Sequence, residues 1–434
     1  MKSAIENRAC APDTAAYPDA DIVEKAVALR HELHRHPELS NAESGTKNRL
    51  IGFIRANTSL EIRDMGRWFY AAYRAPGADE RGGAGKHIAF RADMDALPVD
   101  EGDALPYSSE NRGVSHKCGH DGHCASLAAF ALSVDRHGCE NSVFFLFQHA
   151  EETGAGANEC AELIALEHID EIYGYHNMPG FPLISVAVHD GTAACASRGL
   201  VLRFIGKNSH ASQPENGRNP AFVLAKLIDS VDALTALSAK LDHDAGEADI
   251  RRAAETAFCA DLMLGAVHGF SISPTGMVMC TVIGAEAGSR AEGGGVSAFG
   301  TGAGYARLML TVRAEDEKRL DLLEKLLTAR AVFLAGEEGL GFEKSIVEPF
   351  PETRNSAVCA EKVRRAAQSA GLPIARWDEP FRSSEDFGVY TKLVPGALFY
   401  IGCGEDHAPL HTACYDFEDA LIPAAVRIFS LLAQ

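Results

Sequence analysis

The sequence predicts an α/β protein in which a mostly parallel sheet, with helices on both faces, is interrupted by an inserted α+β segment. Three observations support this prediction. In the first part of the chain, short apolar strands alternate with amphipathic helices, which is the pattern of a parallel sheet covered on both sides. From about residue 196 the order of elements changes, and beyond Pro349 the first pattern returns. The 434 residues also exceed what one hydrophobic core usually serves, so two domains are expected.

The first elements follow from the local spacing of apolar residues. Helices are expected at Ile22–Arg35 and Ser44–Ala56, where the chain is amphipathic. Strands are expected at His87–Arg91, Ser142–Phe147 and Glu171–Tyr175. Each of these strands is short and almost continuously apolar, as a parallel strand that is buried on both faces should be.

The middle segment, residues 196–349, has a different order of elements. A strand, a helix, two or three strands, a second helix and a last strand give the order βαββαβ of a ferredoxin-like sandwich. The Gly- and Ala-rich stretch Gly284–Gly304 is expected to be a loop. The regular elements are expected at Gly199–Gly206, at Pro220–Leu241, between Thr256 and Arg313, at Asp316–Leu334 and at Phe342–Val347.

The α/β pattern resumes after the middle segment. A strand is expected at Ala397–Ile401 and a closing helix at Ile422–Leu432. The chain is therefore expected to form one discontinuous domain from residues 1–195 and 350–434, with residues 196–349 inserted as a second domain.

Charge and cysteine content exclude several classes of partner. A net charge of -19 argues against nucleic acid or an anionic membrane, because most of the surface would repel either. The first twenty residues lack the continuous apolar stretch of a signal peptide, and no run reaches transmembrane length. The eleven cysteines are scattered and odd in number, which favours reduced thiols and a cytoplasmic location over a secreted disulfide framework.

Polar residues stand where the predicted strands end. Asp93 and Asp95 follow the first strand, Glu151 and Glu152 follow the second, and His176 follows the third. Ligands in open α/β sheets collect at the carboxyl ends of the strands. We therefore expect these segments to converge on one crevice.

The segment from Cys118 to His123 reads Cys-Gly-His-Asp-Gly-His and supplies further candidate ligands. Thiolate, imidazole and carboxylate groups bind zinc and neighbouring first-row metals, and a second carboxylate can activate the metal-bound water. Alone, Cys118 would more simply be a small core residue and His120 a satisfied polar group. Asp121 is expected to cap a helix that begins at Gly122, and His123 is expected to hold a carboxylate behind the ligands rather than to bind metal itself.

Other histidines differ in their context. His411 follows the last predicted strand and is a further candidate ligand, while Asp95 could orient an imidazole by accepting its second N–H. Surface or helix-face positions are expected for the histidines without a comparable context, namely His31, His34, His36, His137, His168, His189, His243 and His268.

Eight segments, in this order, resemble the amidohydrolases of peptidase family M20, in the branch with aminoacylases, hippurate hydrolases and indoleacetyl-amino-acid hydrolases. The resemblance runs through nearly the whole chain. The matching segments are Leu33–Leu39, Arg91–Pro98, Cys118–His123, Gln148–Glu152, Gly174–His176, Ser209–Pro214, Ser384–Phe387 and Leu410–His411 with Tyr415–Phe417.

The resemblance implies two divalent metal ions per chain, which could be zinc, manganese, cobalt or nickel. It implies that they are bound by Cys118, His120, Glu152, His176 and His411. It further implies that Glu151 is the general base, that His210 stabilises the oxyanion, and that residues 196–349 form a lid through which a homodimer assembles.

The implied substrate is an N-acyl amino acid or a related small amide. Arg313 and Arg290 could hold its carboxylate, since a guanidinium binds carboxylates in a bidentate manner, or they could be ordinary surface charges. A dipeptidase or carboxypeptidase with the same centre is the alternative enzyme. A metal-binding module without catalysis is the alternative of another class, although the presence of Glu151 argues against it.

The chain departs from the usual family pattern at three places. His149 stands where the motif has proline, and Lys117 stands where it has alanine. The segment Ala298–Gly304 replaces a lid sequence that often reads Asn-Val-Ile-Pro, so the substrate preference is left open.

Overall fold

The computed structural model describes residues 18–77, 85–102, 105–238, 278–289, 299–377 and 379–434. His243, His268 and Arg290 lie outside the described residues, as do residues 290–298 of the predicted loop at Gly284–Gly304 and the residues between Thr256 and Met277. The loop prediction is wrong for its first part, because residues 284–288 belong to a strand that ends at Gly288. The chain divides into two compact units. Unit 1 comprises Met1–Ala193, Thr353–Glu379 and Asp386–Gln434, and unit 2 comprises Ala194–Glu352 and Pro380–Glu385.

The predicted helices begin and end within a few residues of described ones. The described helices are α1 Ala20–Arg35, α2 Ser44–Asn57, α3 His120–His137, α4 Gly156–Cys160, α5 Glu162–Leu166, α6 Ala221–Ser238, α7 Glu317–Glu337, α8 Ala357–Ser369, α9 Gly388–Thr391 and α10 Leu421–Leu432. Of these, α4, α5, α8 and α9 were not predicted.

The described strands form one large sheet, one smaller sheet and a short pair. They are β1 Glu61–Asp64, β2 Phe69–Tyr73, β3 His87–Asp93, β4 Ser142–Gln148, β5 Glu171–Pro179, β6 Val186–Ala187, β7 Gly191–Ala194, β8 Ala196–Ile205, β9 Val278–Gly288, β10 Tyr305–Ala314, β11 Gly341–Phe350, β12 Thr353–Asn355 and β13 Gly396–Gly404.

The seven-stranded sheet of unit 1 has the order β1-β2-β4-β3-β5-β13-β6. The pairs β4–β3, β3–β5 and β5–β13 are parallel, and the pairs towards both edges are antiparallel. Five of these seven described strands therefore run in the same direction. This confirms the mostly parallel α/β sheet that the sequence predicts.

The core of unit 1 lies where the helices cover the central strands. Strand β4 is buried along its whole length, which requires cover on both faces. Phe130 of α3 packs edge-on against Phe90 and Phe145 of the sheet, at centroid distances of 4.9 and 5.3 Å. Each fully buried phenylalanine stabilises the fold by about 1.5–3 kcal/mol through the removal of its surface from water.

The position of His176 differs from the prediction. The sequence predicts a strand that ends at Tyr175, with His176 just beyond it, whereas β5 continues to Pro179. The extension is stabilised by parallel pairing with β13, in which His176 stands opposite Tyr400. His176 is therefore held by a sheet strand rather than by a loop.

Unit 2 contains a four-stranded antiparallel sheet of order β11-β8-β10-β9. Its described elements follow the order β8, α6, β9, β10, α7, β11 along the chain. Apolar residues of α6 and α7 form one core with alternate residues of β8 and β10. The side chain of Asp316 accepts a hydrogen bond of 2.8 Å from the backbone N–H of Arg319 and so caps α7.

Two further findings concern the whole described chain. None of its helices combines the length and the apolarity that crossing a membrane would require. The nine cysteines in the described part are free thiols, and all of them except Cys139 and Cys414 are buried.

Candidate metal centre

The candidate ligands of unit 1 gather at the carboxyl ends of its central strands. Glu151 and Glu152 follow β4, His176 lies in β5, and His411 follows β13. Because the central strands are parallel, these ends lie at the same edge of the sheet. Helix α3 begins there with His120.

The five residues predicted as ligands lie close enough to share ions. The Sγ atom of Cys118 is 3.4 Å from Nε2 of His176 and 3.3 Å from Nε2 of His411. Oε1 of Glu152 is 3.7 Å from Nε2 of both His120 and His411. These separations are those expected between atoms that bind one ion at about 2.0–2.3 Å.

Two overlapping groups of ligand atoms share the thiol. Cys118, His120 and His176 form one group, and Cys118, Glu152 and His411 form the other, with all ligand atoms of a group within 4.8 Å of one another. Glu151 belongs to a third group, with His120 and Glu152. The cluster is mostly enclosed, although the His411 side chain is 52% exposed.

The unsatisfied polar atoms of the cluster fit a cation. Nε2 of His120 and Oε1 of Glu152 are buried and have no hydrogen-bond partner among the described residues. Burying such atoms unpaired is unfavourable, and a metal ion would supply the missing partner. The Nδ1–H of His120 donates to the Asp95 carbonyl at 2.9 Å, and the Nδ1–H of His176 donates to the Asn177 carbonyl at 2.7 Å. Both rings are thereby set with the Nε2 lone pair towards the cluster.

The surroundings raise the pKa values of three candidate ligands. Burial raises the pKa of the Cys118 thiol well above its ordinary value, and the carboxylates of Glu152 and Glu151 add to the effect. Burial likewise raises the pKa of Glu152 to about 7. For His120 burial acts downward, but Asp93 and Asp95 outweigh it and raise the pKa to about 10. A bound ion would replace the protons of these groups, because metal ligands must be deprotonated.

Asp95 contacts two of the candidate ligands, the ring of His120 and the backbone of Glu152. Its Oδ1 lies 3.3 Å from Nδ1 of His120, and its Oδ2 accepts hydrogen bonds from Ser40 Oγ at 2.7 Å and from the Glu152 backbone N–H at 3.0 Å. Asp95 therefore orients one candidate ligand directly and holds the backbone of another.

His123 lies behind the ligands. Its Nδ1 is 2.6 Å from Oδ1 of Asp93 and its Nε2 is 2.6 Å from Oδ1 of Asn177, so both ring nitrogens are engaged. Arg91 donates to the other oxygen of Asp93 at 2.6 Å. A further group that is close enough to hold an ion consists of Asp93, His120 and His123. In this group Asp93 and His123 already bind each other.

Two glycines allow the backbone at the start of α3 to pack closely against side chains beside the ligands. Gly119 has a φ of 97°, and a Cβ atom on it would lie 2.4 Å from Oδ1 of Asn177. A Cβ atom on Gly122 would lie 2.4 Å from the ring of Phe417. Asp121 is not the N-cap residue as predicted, because α3 starts after Gly119. Its Oδ1 does accept the first-turn N–H of Gly122 at 2.9 Å, while its Oδ2 lies 2.8 Å from Nδ1 of His34.

His34 is the main residue that the sequence reasoning misplaced. It was expected on a surface or helix face, but its side chain is fully buried and lies 2.8 Å from both Asp121 and Glu101. Glu101 also pairs with Lys117 at 2.7 Å, and the backbone carbonyl of Lys117 accepts the His411 N–H at 2.7 Å. This buried network therefore links the segments that carry Cys118, His120 and His411.

A signal for this network was present in the sequence. His34 is four residues from Arg30, and the two follow Leu29 and Leu33 on the stripe of α1 that is buried. Arg30 contacts Asp121 at 3.4 Å and Asp416 at 3.0 Å. Charged residues in register with an apolar stripe indicate buried partners of opposite charge.

The remaining predicted site residues belong to unit 2. His210 is exposed, and its Nδ1 lies 2.7 Å from Oγ of Ser212. Arg313 lies in β10 and donates to Oγ of Ser384 at 2.7 Å and to the Arg382 carbonyl at 3.2 Å. The roles assigned to His210 and Arg313 stay predictions.

An α/β sheet that gathers a thiol, imidazoles and two adjacent carboxylates at its carboxyl edge defines the class of metal-dependent hydrolases. The comparisons with known proteins specify the family. Residues 89–434 match the model of peptidase family M20/M25/M40. The chain belongs to this family and is a metal-dependent amidohydrolase.

Named relatives cover most of the chain. It is 29% identical over 411 residues to the N-acetyl-L-cysteine deacetylase of Bacillus subtilis, covering 93% of this chain and 86% of the relative. It is 26% identical over 414 residues to the hippurate hydrolase of Campylobacter jejuni, covering 93% of this chain and 94% of the relative.

The fold is similar to that of solved structures. The YXEP protein of Bacillus subtilis, a dinuclear metal-binding peptidase of the M20 family, superposes with a TM-score of 0.72 at 22% identity. The match covers 96% of this chain and 98% of the other.

Proposed function

We propose that the protein hydrolyses the amide bond of N-acyl amino acids or related small amides at a centre of two divalent metal ions. The residues that would hold the ions are Cys118, His120, Glu152, His176 and His411, and Cys118 belongs to both ligand groups. The observation that supports this best is the pair of overlapping ligand groups, which brings together five side chains from distant segments. Two of their ligand atoms, Nε2 of His120 and Oε1 of Glu152, are buried without a hydrogen-bond partner among the described residues. Zinc, manganese, cobalt and nickel all suit this mixed donor set.

Glu151 is the proposed general base. It stands directly beside Glu152, is 6% exposed, and forms a group with His120 and Glu152 whose ligand atoms lie within 4.8 Å. The bound ions would supply the polarisation of the substrate carbonyl and the acidification of the attacking water. Glu151 takes one proton from that water as its oxygen bonds to the carbonyl carbon, and passes the proton to the nitrogen as the C–N bond breaks. The products are a carboxylic acid and an amine.

The names of the relatives support the acylated substrate class. One is a deacetylase of an N-acetyl amino acid and another is a hydrolase of hippurate, and both align over more than nine-tenths of this chain.

His210 is proposed to stabilise the oxyanion. Arg313 and Arg290 are proposed to bind the substrate carboxylate, and residues 196–349 to form the lid and the contact of a homodimer.

Released amine tests the proposal. The purified protein is loaded separately with zinc, manganese and cobalt and is offered N-acetyl amino acids, N-benzoyl amino acids and free dipeptides. Cleavage of the acylated set that a chelator abolishes is the expected result. Cleavage of dipeptides alone would contradict the substrate class and would indicate a peptidase, whereas turnover that survives complete metal removal would contradict the centre itself.

A further inference from the structure

Two buried carboxylates hold the backbone on either side of Glu151. The N–H of Ala150 donates to Oε1 of Glu43 at 2.7 Å, and the N–H of Glu152 donates to Oδ2 of Asp95 at 3.0 Å. The first N–H belongs to the peptide unit that precedes Ala150, and the second belongs to the unit that joins Glu151 to Glu152. The two hydrogen bonds therefore hold the backbone on either side of Glu151 and, with it, the direction of its Cα–Cβ bond.

The turn at Ala150 needs such support. Ala150 has a φ of 49° and is fully buried, although residues with a side chain rarely adopt positive φ. Its carbonyl accepts hydrogen bonds from Ala155 at 3.2 Å and from Gly156 at 3.1 Å. Its N–H donates to Glu43. The Glu43 contact therefore completes the hydrogen bonding of the residue that starts the turn.

The Glu43 side chain can contact Ala150 because Glu38, rather than Glu43, accepts the N–H groups at the start of α2. Glu43 is the N-cap residue of α2, where a carboxylate would ordinarily accept an N–H of its own helix, yet its side chain makes no such bond. Glu38 accepts instead from the N–H groups of Gly45 at 3.1 Å and Thr46 at 2.6 Å. The Glu43 carboxylate, which is 4% exposed, is directed to the Ala150 turn.

The geometry points to Glu43 as a positioning residue for the general base: we propose that its hydrogen bond to Ala150 sets the position of Glu151 for proton transfer. This inference rests on the proposed role of Glu151. Asp95, by contrast, contacts the candidate ligand His120 and the backbone of Glu152. Loss of the Glu43 contact is therefore expected to affect the rate of hydrolysis more than the binding of metal.

Three variants of one position test the proposal. Glu43→Ala removes the acceptor, Glu43→Met removes it while filling the space, and Glu43→Gln keeps a carbonyl oxygen that can accept the same N–H. Each is loaded with the metal that gives the wild type its highest activity, and kcat, KM, bound metal and Tm are measured. Ile54→Val shortens a buried side chain of the same helix and controls for a general loss of stability.

We expect kcat to fall about 10- to 100-fold in Glu43→Ala and Glu43→Met, the range found when an outer contact of a metal site is removed. KM and bound metal should stay near wild type, Glu43→Gln should recover most of the loss, and Ile54→Val should lower Tm without changing kcat. A kcat within twofold of wild type in both Glu43→Ala and Glu43→Met would overturn the proposal. The proposal would also be overturned if kcat fell equally in Glu43→Gln, or if the fall in kcat matched a fall in bound metal.

Glu151→Gln separates this inference from the function on which it rests. If that variant keeps full activity, the general base is wrong and Glu43 has nothing to position, so both proposals fail. If Glu151→Gln is inactive with metal bound while the Glu43 variants work like the wild type, only the inference about Glu43 fails.

Discussion

Replacing His34 by asparagine is expected to remove a pH-dependent part of the stability of the protein. Burial alone would lower the pKa of His34, but hydrogen bonds and charge from Asp121 and Glu101 outweigh it and raise the pKa to about 9, from an ordinary 6.5. Both contacts are 2.8 Å long, and the His34 side chain has no exposed surface. The folded protein therefore holds a proton on His34 that the unfolded chain releases above pH 6.5.

The sign and size of the effect follow from proton linkage. Because the pKa is higher in the folded state, the stabilisation is fully present below pH 6.5 and is lost as the pH rises to about 9. At about 1.4 kcal/mol for each pH unit between the two pKa values, the contribution of His34 amounts to about 3 kcal/mol. The variant should differ most from the wild type at the acid end of this range.

Urea unfolding at several pH values between 6 and 9 measures the effect. The free energy of unfolding of the wild type, minus that of His34→Asn, should shrink by about 3 kcal/mol across the range. Groups that titrate in both proteins cancel in this difference. His168→Asn replaces an exposed histidine of positive φ and should follow the wild type at every pH. A difference that stays constant between pH 6.5 and 9 would refute the argument.

Three further predictions concern the centre and its packing. Apparent zinc affinity should rise with pH, because the pKa values of Glu152 and His120 are raised to about 7 and 10 and both groups must release protons to bind zinc. Calorimetry in buffers of different ionisation enthalpy measures the affinity and the protons released, and an affinity independent of pH would contradict the prediction. Asp95→Ala keeps the carbonyl that accepts from His120 but removes the carboxylate 3.3 Å from its Nδ1, which also accepts the Glu152 N–H. It should weaken metal binding about 10- to 100-fold in competition with a chromogenic chelator, and unchanged affinity would count against a role for this carboxylate. Gly122→Ala should lower the free energy of urea unfolding by about 1–3 kcal/mol, because its Cβ would meet the Phe417 ring. Gly52→Ala, which has open space on α2, should raise it by up to about 1 kcal/mol, and equal effects of the two variants would contradict the packing.

The sequence was informative wherever the structure depends on local pattern. Apolar runs such as Ser142–Phe147 predicted the central strands to within a residue or two at most ends. The rule that parallel strands end at one edge then placed Glu151, Glu152 and His411 together. Segments remote in the chain could be assigned to one site because the sheet topology brings their ends together.

Contacts without a local pattern could not be predicted in this way. The stripe of α1 indicates that His34 has a buried partner, but Asp121 is 87 positions away and nothing in either segment identifies it as that partner. The extension of β5 past Tyr175 depends on β13, more than two hundred residues later, and overrides the weak strand preference of Asn177 and Pro179. The use of Glu43 away from its own helix likewise depends on a distant turn.

Glu151→Gln tests the proposed mechanism most sharply when bound metal and the rate of amide cleavage are determined on the same sample and compared with the wild type. We expect the wild-type metal content together with a loss of nearly all turnover of an N-acyl amino acid that the wild type cleaves. Wild-type turnover in the metal-loaded variant would show that Glu151 is not the base, and the mechanism proposed for this centre would be wrong.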